Sequence, residues 1–148
     1  MDIAKEWIDR ANREDDIYNK FISAYIALNF LYEGFDIDRH GKKFNERNRM
    51  SSYMMKLCRK LSIDPFEPTG CVSEYLNSPV IDERSGNDAR KWSTKKGHNI
   101  TLFKAIYQVR CNLFHGNKLL SDERNQKLVR EGADVILKVL NAFMHENG

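Results

Sequence analysis

A chain of 148 residues with 41% apolar side chains is long enough to bury one core and short for two domains, so a single domain over 1–148 is expected. No apolar run reaches the roughly 20 residues needed to span a bilayer, and the opening MDIAKEWIDRANRE lacks the apolar stretch of a secretory signal; the expectation is a cytoplasmic protein without a membrane partner. The net charge of +3 says less than its distribution: residues 39–60 carry 8 basic and 1 acidic side chains and residues 84–120 carry 8 and 1, while residues 1–38 carry 4 and 9 and residues 61–83 carry 0 and 5. Two basic blocks therefore alternate with acidic ones, as either a solvated charged face or a phosphate-binding surface.

In chain order, Ile3, Trp7, Ile8 and Ala11 predict one side of a short amphipathic helix. Residues 17–35 follow with Ile17, Phe21, Leu28, Leu31, Tyr32 and Phe35 at helical spacing and apolar residues on nearly every side, which predicts a central helix packed on more than one face. Asn29 interrupts that run, so its amide needs a partner in the bundle or faces a cleft. Asp36, Asp38 and Gly41 resemble the start of a calcium loop, but His40 stands at the fifth position and Arg47 at the twelfth, where a bidentate glutamate belongs, and calcium is rejected.

A third helix is predicted over 44–61 from Met50, Met54, Leu57 and Leu61. Residues 62–98 contain Pro65, Pro68, Gly70, Pro79, Gly86 and Gly97 and read as an irregular insertion with a turn of helix near 72–76, a lid or a partner-binding loop. Helix resumes with Asn99 as N-cap and runs through Phe103, Ile106 and Tyr107 to the region of His115, where Gly116 suits the first position beyond the helix. A last helix over 122–144 is expected to bury Leu128, Val135, Val139 and Ala142 with Ile136, Leu140 and Phe143. No strand-like alternation stands out, and the expected fold is an all-α bundle of four to five helices.

The three cysteines, Cys58, Cys71 and Cys111, are odd in number and never spaced as CxxC, which favours neither a disulfide framework nor a zinc site. No metal or cofactor is expected. The chemistry gathers instead at VRCNLFHGNK, residues 109–118. Phe103, Tyr107, Arg110 and Phe114 stand at i, i+4, i+7 and i+11, so a guanidinium occupies a slot that periodicity assigns to the core or to an interface. Desolvating it alone costs several kcal/mol, so it needs a carboxylate, carbonyls or an arriving phosphate. His115 lies about 140° round an ideal helix from Arg110, and unwinding of the last turn before Gly116 would bring the imidazole toward the arginine. The pair is open to two readings, a capping histidine with a structural arginine, or a phosphate site with a general acid or base.

The bundle, with RCNLFHG (Arg110 to Gly116) closing a late helix and a FISAYIALNFLY-type central helix before it, resembles the HEPN domains, whose signature is arginine, a polar residue, a few variable positions and histidine. The resemblance follows helix order over most of the chain, is most specific at residues 110–116 and does not extend to 62–98. It implies a bundle of HEPN type that acts as a metal-independent endoribonuclease in a homodimer, with Arg110 and His115 as catalytic pair in the cleft between subunits. Asn112 would have the supporting role, although the polar residue often directly follows the arginine and here Cys111 stands there. A toxin branch of the family carries a tyrosine two residues after the histidine; Asn117 stands there, so that control is not implied.

RNA supplies its own nucleophile, so cleavage requires proton transfer and stabilisation of a phosphorane, roles suited to His115 and Arg110. Lys118, Lys42, Lys43 and Arg47 are candidate contacts to flanking phosphates. The implied setting is antiviral defence or a toxin–antitoxin pair, with an antitoxin or a nucleotidyltransferase as partner protein. Two other readings stay open: a non-catalytic HEPN-like module that binds nucleotide, RNA or a partner, and a helical dimer in which Arg110 forms a subunit salt bridge.

Overall fold

The computed structural model of the chain describes residues 2–35, 45–83, 90–116 and 120–147. Short polar side chains set three helix starts. After α1 (Asp2–Arg13), the Asp16 carboxylate accepts from the N–H groups of Tyr18 at 2.9 Å and Asn19 at 3.0 Å and opens α2 (Ile17–Tyr32). Asn45 accepts from the Asn48 N–H at 2.8 Å and opens α3 (Glu46–Leu61), and Asp122 accepts from the Asn125 N–H at 2.7 Å before the long terminal helix, residues Glu123–Asn147.

Between them lie α4 (Ser73–Asn77), a hairpin of β1 (Val80–Ile81) and β2 (Lys91–Trp92), and α5 (Asn99–Phe114); the terminal helix is thus α6. Val80 stands opposite Trp92 and Ile81 opposite Lys91 in the antiparallel pair. The described residues are mostly helical, so the all-α expectation holds in its coarse form, with six helices among them where four or five were expected. The hairpin escaped the sequence reading because two residues per strand cannot show an alternation.

α1 packs on α2 and α6, α2 lies between α1, α3 and α6, and α3 lies along α5. Phe21, Leu28, Met50, Met54, Phe103, Ile106, Ile136 and Leu140 are fully buried where these helices meet. Each such side chain stabilises the fold by about 1.5–3 kcal/mol relative to exposure. Two local expectations need correction. Ile3 is 52% exposed, and Ala4 instead turns inward with Ile8 and Ala11, because the start of α1 is rotated by one residue from the predicted face. Asn99 is the first helical residue, not the cap: His98 occupies the cap without a side-chain bond, and the Thr101 hydroxyl closes the turn by accepting from Lys95 N–H at 3.0 Å and donating to His98 O at 2.9 Å. Asn29 is half-buried with its amide unpaired among the described residues.

Within the 62–98 insertion, α4 and the residues just after it are tied to α6. Tyr75 donates its hydroxyl to the Leu128 carbonyl at 2.7 Å, Arg124 pairs with Glu74 at 3.0 Å and donates to the carbonyls of Ser78 and Pro79, and the Glu131 carboxylate accepts from Glu74 N–H at 2.9 Å. Gly132 permits this approach. A Cβ there would stand 2.7 Å from the Tyr75 hydroxyl oxygen and 3.0 Å from Phe21 Cε2.

Candidate functional site

Arg110 sits in the last turns of α5, half-buried, with its guanidinium carbon 5.3 Å from the ring centre of Tyr25, 5.7 Å from that of Tyr107 and 4.5 Å from that of Phe114. The apolar line that predicted a buried slot is buried at Phe103 and Tyr107 and opens at its end, with Arg110 half-buried and Phe114 46% exposed, and the cation lies against aromatic faces, which attract it through their quadrupoles. Its Nε is buried without an acceptor, and Nη1 makes only a weak 3.9 Å contact to the Cys111 sulfur. A buried donor left unpaired in this way costs about 1–3 kcal/mol.

Behind Arg110 lies a carboxylate with neutral donors around it. Glu46, the first residue of α3, accepts from the Tyr32 hydroxyl at 2.8 Å on one oxygen and from the Tyr107 hydroxyl at 3.2 Å on the other. Tyr25 and Tyr32 hydroxyls lie 2.7 Å apart; since the single Tyr32 proton goes to the carboxylate, Tyr25 is the donor to Tyr32. Burial pushes all three hydroxyls well above the ordinary tyrosine range, so they donate as neutral groups. For Arg110, burial works against the cation, but the surrounding Tyr25, Cys111, Glu46 and Tyr107 outweigh it and hold the guanidinium above its usual value. Glu46 acts on Arg110 through space, without a direct ion pair.

Arg47 follows Glu46 on α3 and turns to the same side of α5. Its guanidinium carbon lies 4.4 Å from the Trp92 ring centre and 5.4 Å from that of Tyr107, and its Nε is likewise buried without an acceptor. Trp92 is fixed by a relay on α5: its indole N–H donates to Gln108 Oε1 at 3.0 Å, and Gln108 Nε2 donates to Asn112 Oδ1 at 3.0 Å. Asn112 Oδ1 also accepts from Glu83 N–H at 3.2 Å, while its Nδ2 donates to Ile81 O at 2.8 Å. Asn112 therefore anchors the hairpin to α5.

His115 is exposed and stands one residue beyond α5, with its N–H bonded to Cys111 O at 3.0 Å. Gly116 follows with φ +68°, and its N–H bonds Leu113 O at 3.2 Å, the closure expected for a glycine just past a helix. The expected swing of the imidazole does not produce a contact: no hydrogen bond joins His115 to Arg110, and the imidazole is unpartnered among the described residues. The structure thus assembles Arg110 with Arg47, and it places Asn112 on the buried side of α5 and His115 at its open end. Lys42, Lys43 and Lys118 lie outside the described residues, as do Asp36, Asp38, His40, Gly41 and Asn117.

Sequence reasoning missed Glu46, Tyr25, Trp92 and Arg90, whose guanidinium carbon lies 5.4 Å from the Trp92 ring centre. Glu46 had one usable signal, as the single acid of the 39–60 basic block. Comparison with protein-family models, curated proteins and solved structures finds no match to this chain.

Proposed function

We propose that the chain is a metal-independent endoribonuclease of HEPN type, acting as a homodimer in which Arg110 and His115 of each copy face a shared cleft. The observation that carries this reading is the state of Arg110: a guanidinium held against three rings, with an unpaired Nε and no carboxylate in contact among the described residues, five residues before an exposed histidine at the end of the same helix. A phosphate supplies the anionic partner that the guanidinium lacks among the described residues. Neutral His115 takes the 2′-hydroxyl proton, the 2′-oxygen attacks in line, Arg110 neutralises the phosphorane, and a second histidine from the other copy or a water protonates the leaving 5′-oxygen. Arg47, Lys42, Lys43 and Lys118 hold flanking phosphates, and Asn112 supports the site by fixing the hairpin. Defence or toxin–antitoxin action in the cytoplasm fits such an activity.

The test is cleavage by the purified chain. Activity is expected to survive EDTA, to spare a substrate with 2′-deoxy at the scissile position, and to leave a 2′,3′-cyclic phosphate and a 5′-hydroxyl. Arg110→Ala and His115→Ala are each expected to lower the rate at least ~100-fold. Arg110→Lys should rescue poorly, since a point charge lacks the planar two-donor edge. Full activity in His115→Ala would defeat the assignment. The lack of contact between Arg110 and His115 favours one second reading, a HEPN-like module that binds nucleotide, RNA or a partner protein without cutting; in it RNA binds and no variant changes a rate.

A further inference from the structure

Three arginines and three aromatic rings interleave across the hairpin, α3 and α5. Arg90 lies 5.4 Å from the Trp92 ring centre, Arg47 lies 4.4 Å from Trp92 and 5.4 Å from Tyr107, and Arg110 lies 5.7 Å from Tyr107 and 4.5 Å from Phe114. Each neighbouring pair of guanidiniums therefore shares one ring. None of the three forms an ion pair among the described residues, and two of them bury an unpaired Nε. The rings of Trp92 and Tyr107 are themselves held, by Gln108 and by Glu46.

This arrangement suits one kind of ligand. A guanidinium held against a ring by its charge leaves its terminal N–H groups for other acceptors, and phosphate oxygens are the acceptors such groups favour. Stacking also orders side chains that would otherwise lose rotamer freedom on binding. At one end of the series Phe114 is 46% exposed, so part of its ring remains open beside Arg110. An aromatic face next to a row of guanidiniums is what an unpaired base and its backbone need; a duplex hides its base faces.

We propose that Arg90, Arg47 and Arg110 form a phosphate track for single-stranded nucleic acid, ending at Phe114 as a stacking platform for one base. The track shares Arg110 with the cleavage site proposed above, yet strand binding by it requires no cleavage. The two are separable with a strand that has no 2′-hydroxyl.

The experiment is fluorescence anisotropy on the whole chain with a labelled 12-nucleotide single-stranded DNA, the same sequence as a duplex, and a poly-glutamate of equal charge. Single strand is expected to bind at least ~10-fold more tightly than either competitor. Phe114→Ala should weaken it roughly tenfold, the order found when a base loses its ring. Arg90→Gln should reduce the slope of log K against log salt by about 0.7, one phosphate contact on a single strand. Phe114 and Arg90 are both exposed, so these variants test binding without opening the core. Equal affinity for duplex or poly-glutamate, or unchanged single-strand binding in both variants, would overturn the track. Cleavage of RNA without DNA binding removes the track alone, and DNA binding without RNA cleavage removes the nuclease alone.

Discussion

Glu46 holds together groups that are far apart in sequence: its partners Tyr32 and Tyr107 lie 14 and 61 positions away. That distance is why it was invisible in the sequence, whereas Arg110 announced itself by breaking a local apolar line. Removing the carboxylate leaves two tyrosine hydroxyls without an acceptor, so Glu46→Ala is expected to lower the unfolding free energy by about 1–3 kcal/mol in urea titration. Glu46→Gln keeps an acceptor oxygen and should stay within about 1 kcal/mol of the parent, while removing the negative charge behind Arg110. RNA cleavage in that variant is expected to fall ~10-fold with the melting transition nearly in place. Unchanged cleavage would limit Glu46 to holding the fold. Asn112 shows the reverse case: the family resemblance alone pointed to it, and its bonds to Ile81 O and Glu83 N–H give it a task in the hairpin that the resemblance did not suggest.

Among the helices, legibility followed the density of apolar side chains. The cores of α2, α3, α5 and α6 were readable because several large residues recur on one face, and the start of α1 was misjudged because Ala4 and Ile3 compete for the buried position with little difference in pattern. The close approach of α4 to α6 was not readable at all, since it depends on an absent side chain. Gly132 lies within α6, where alanine would ordinarily gain about 1 kcal/mol of helix propensity. Here the added methyl meets Tyr75 and Phe21, and overpacking of this kind costs about 1–3 kcal/mol. Gly132→Ala is therefore expected to reduce stability by about 1 kcal/mol net in urea titration. In a Tyr75→Phe background, which removes the atom at 2.7 Å, the same change should cost less. A stabilised Gly132→Ala would show that α4 yields freely.

Across the molecule, the charge blocks were legible one at a time and their meeting was not. Arg47 comes from the 39–60 block and Arg90 and Arg110 from the 84–120 block, and the rings of Trp92 and Tyr107 bring them side by side past the acidic stretch between. RNA binding by His115→Ala is accordingly expected to persist and to weaken steeply with salt; equal affinity at low and high salt would remove the electrostatic basis. The proposed homodimer was motivated in the sequence by Arg110 and Tyr107 on one apolar line. Tyr107 proves to be 7% exposed and bonded to Glu46 inside the bundle, which leaves Arg110 of that line for the shared cleft. Light scattering at micromolar concentration is expected to give twice the chain mass, and a monomer would count strongly against the shared cleft.

The bond between Tyr32 and Glu46 has a consequence for engineering. Tyr32 is the last residue of α2 and Glu46 the first of α3, so a 2.8 Å contact pins the exit of one helix to the entry of the next. The length of chain between them is then not what sets the distance between the helix ends. The exit of α2 and the entry of α3 therefore behave as one unit joined at the Glu46 carboxylate, and a substitution at either end acts on both.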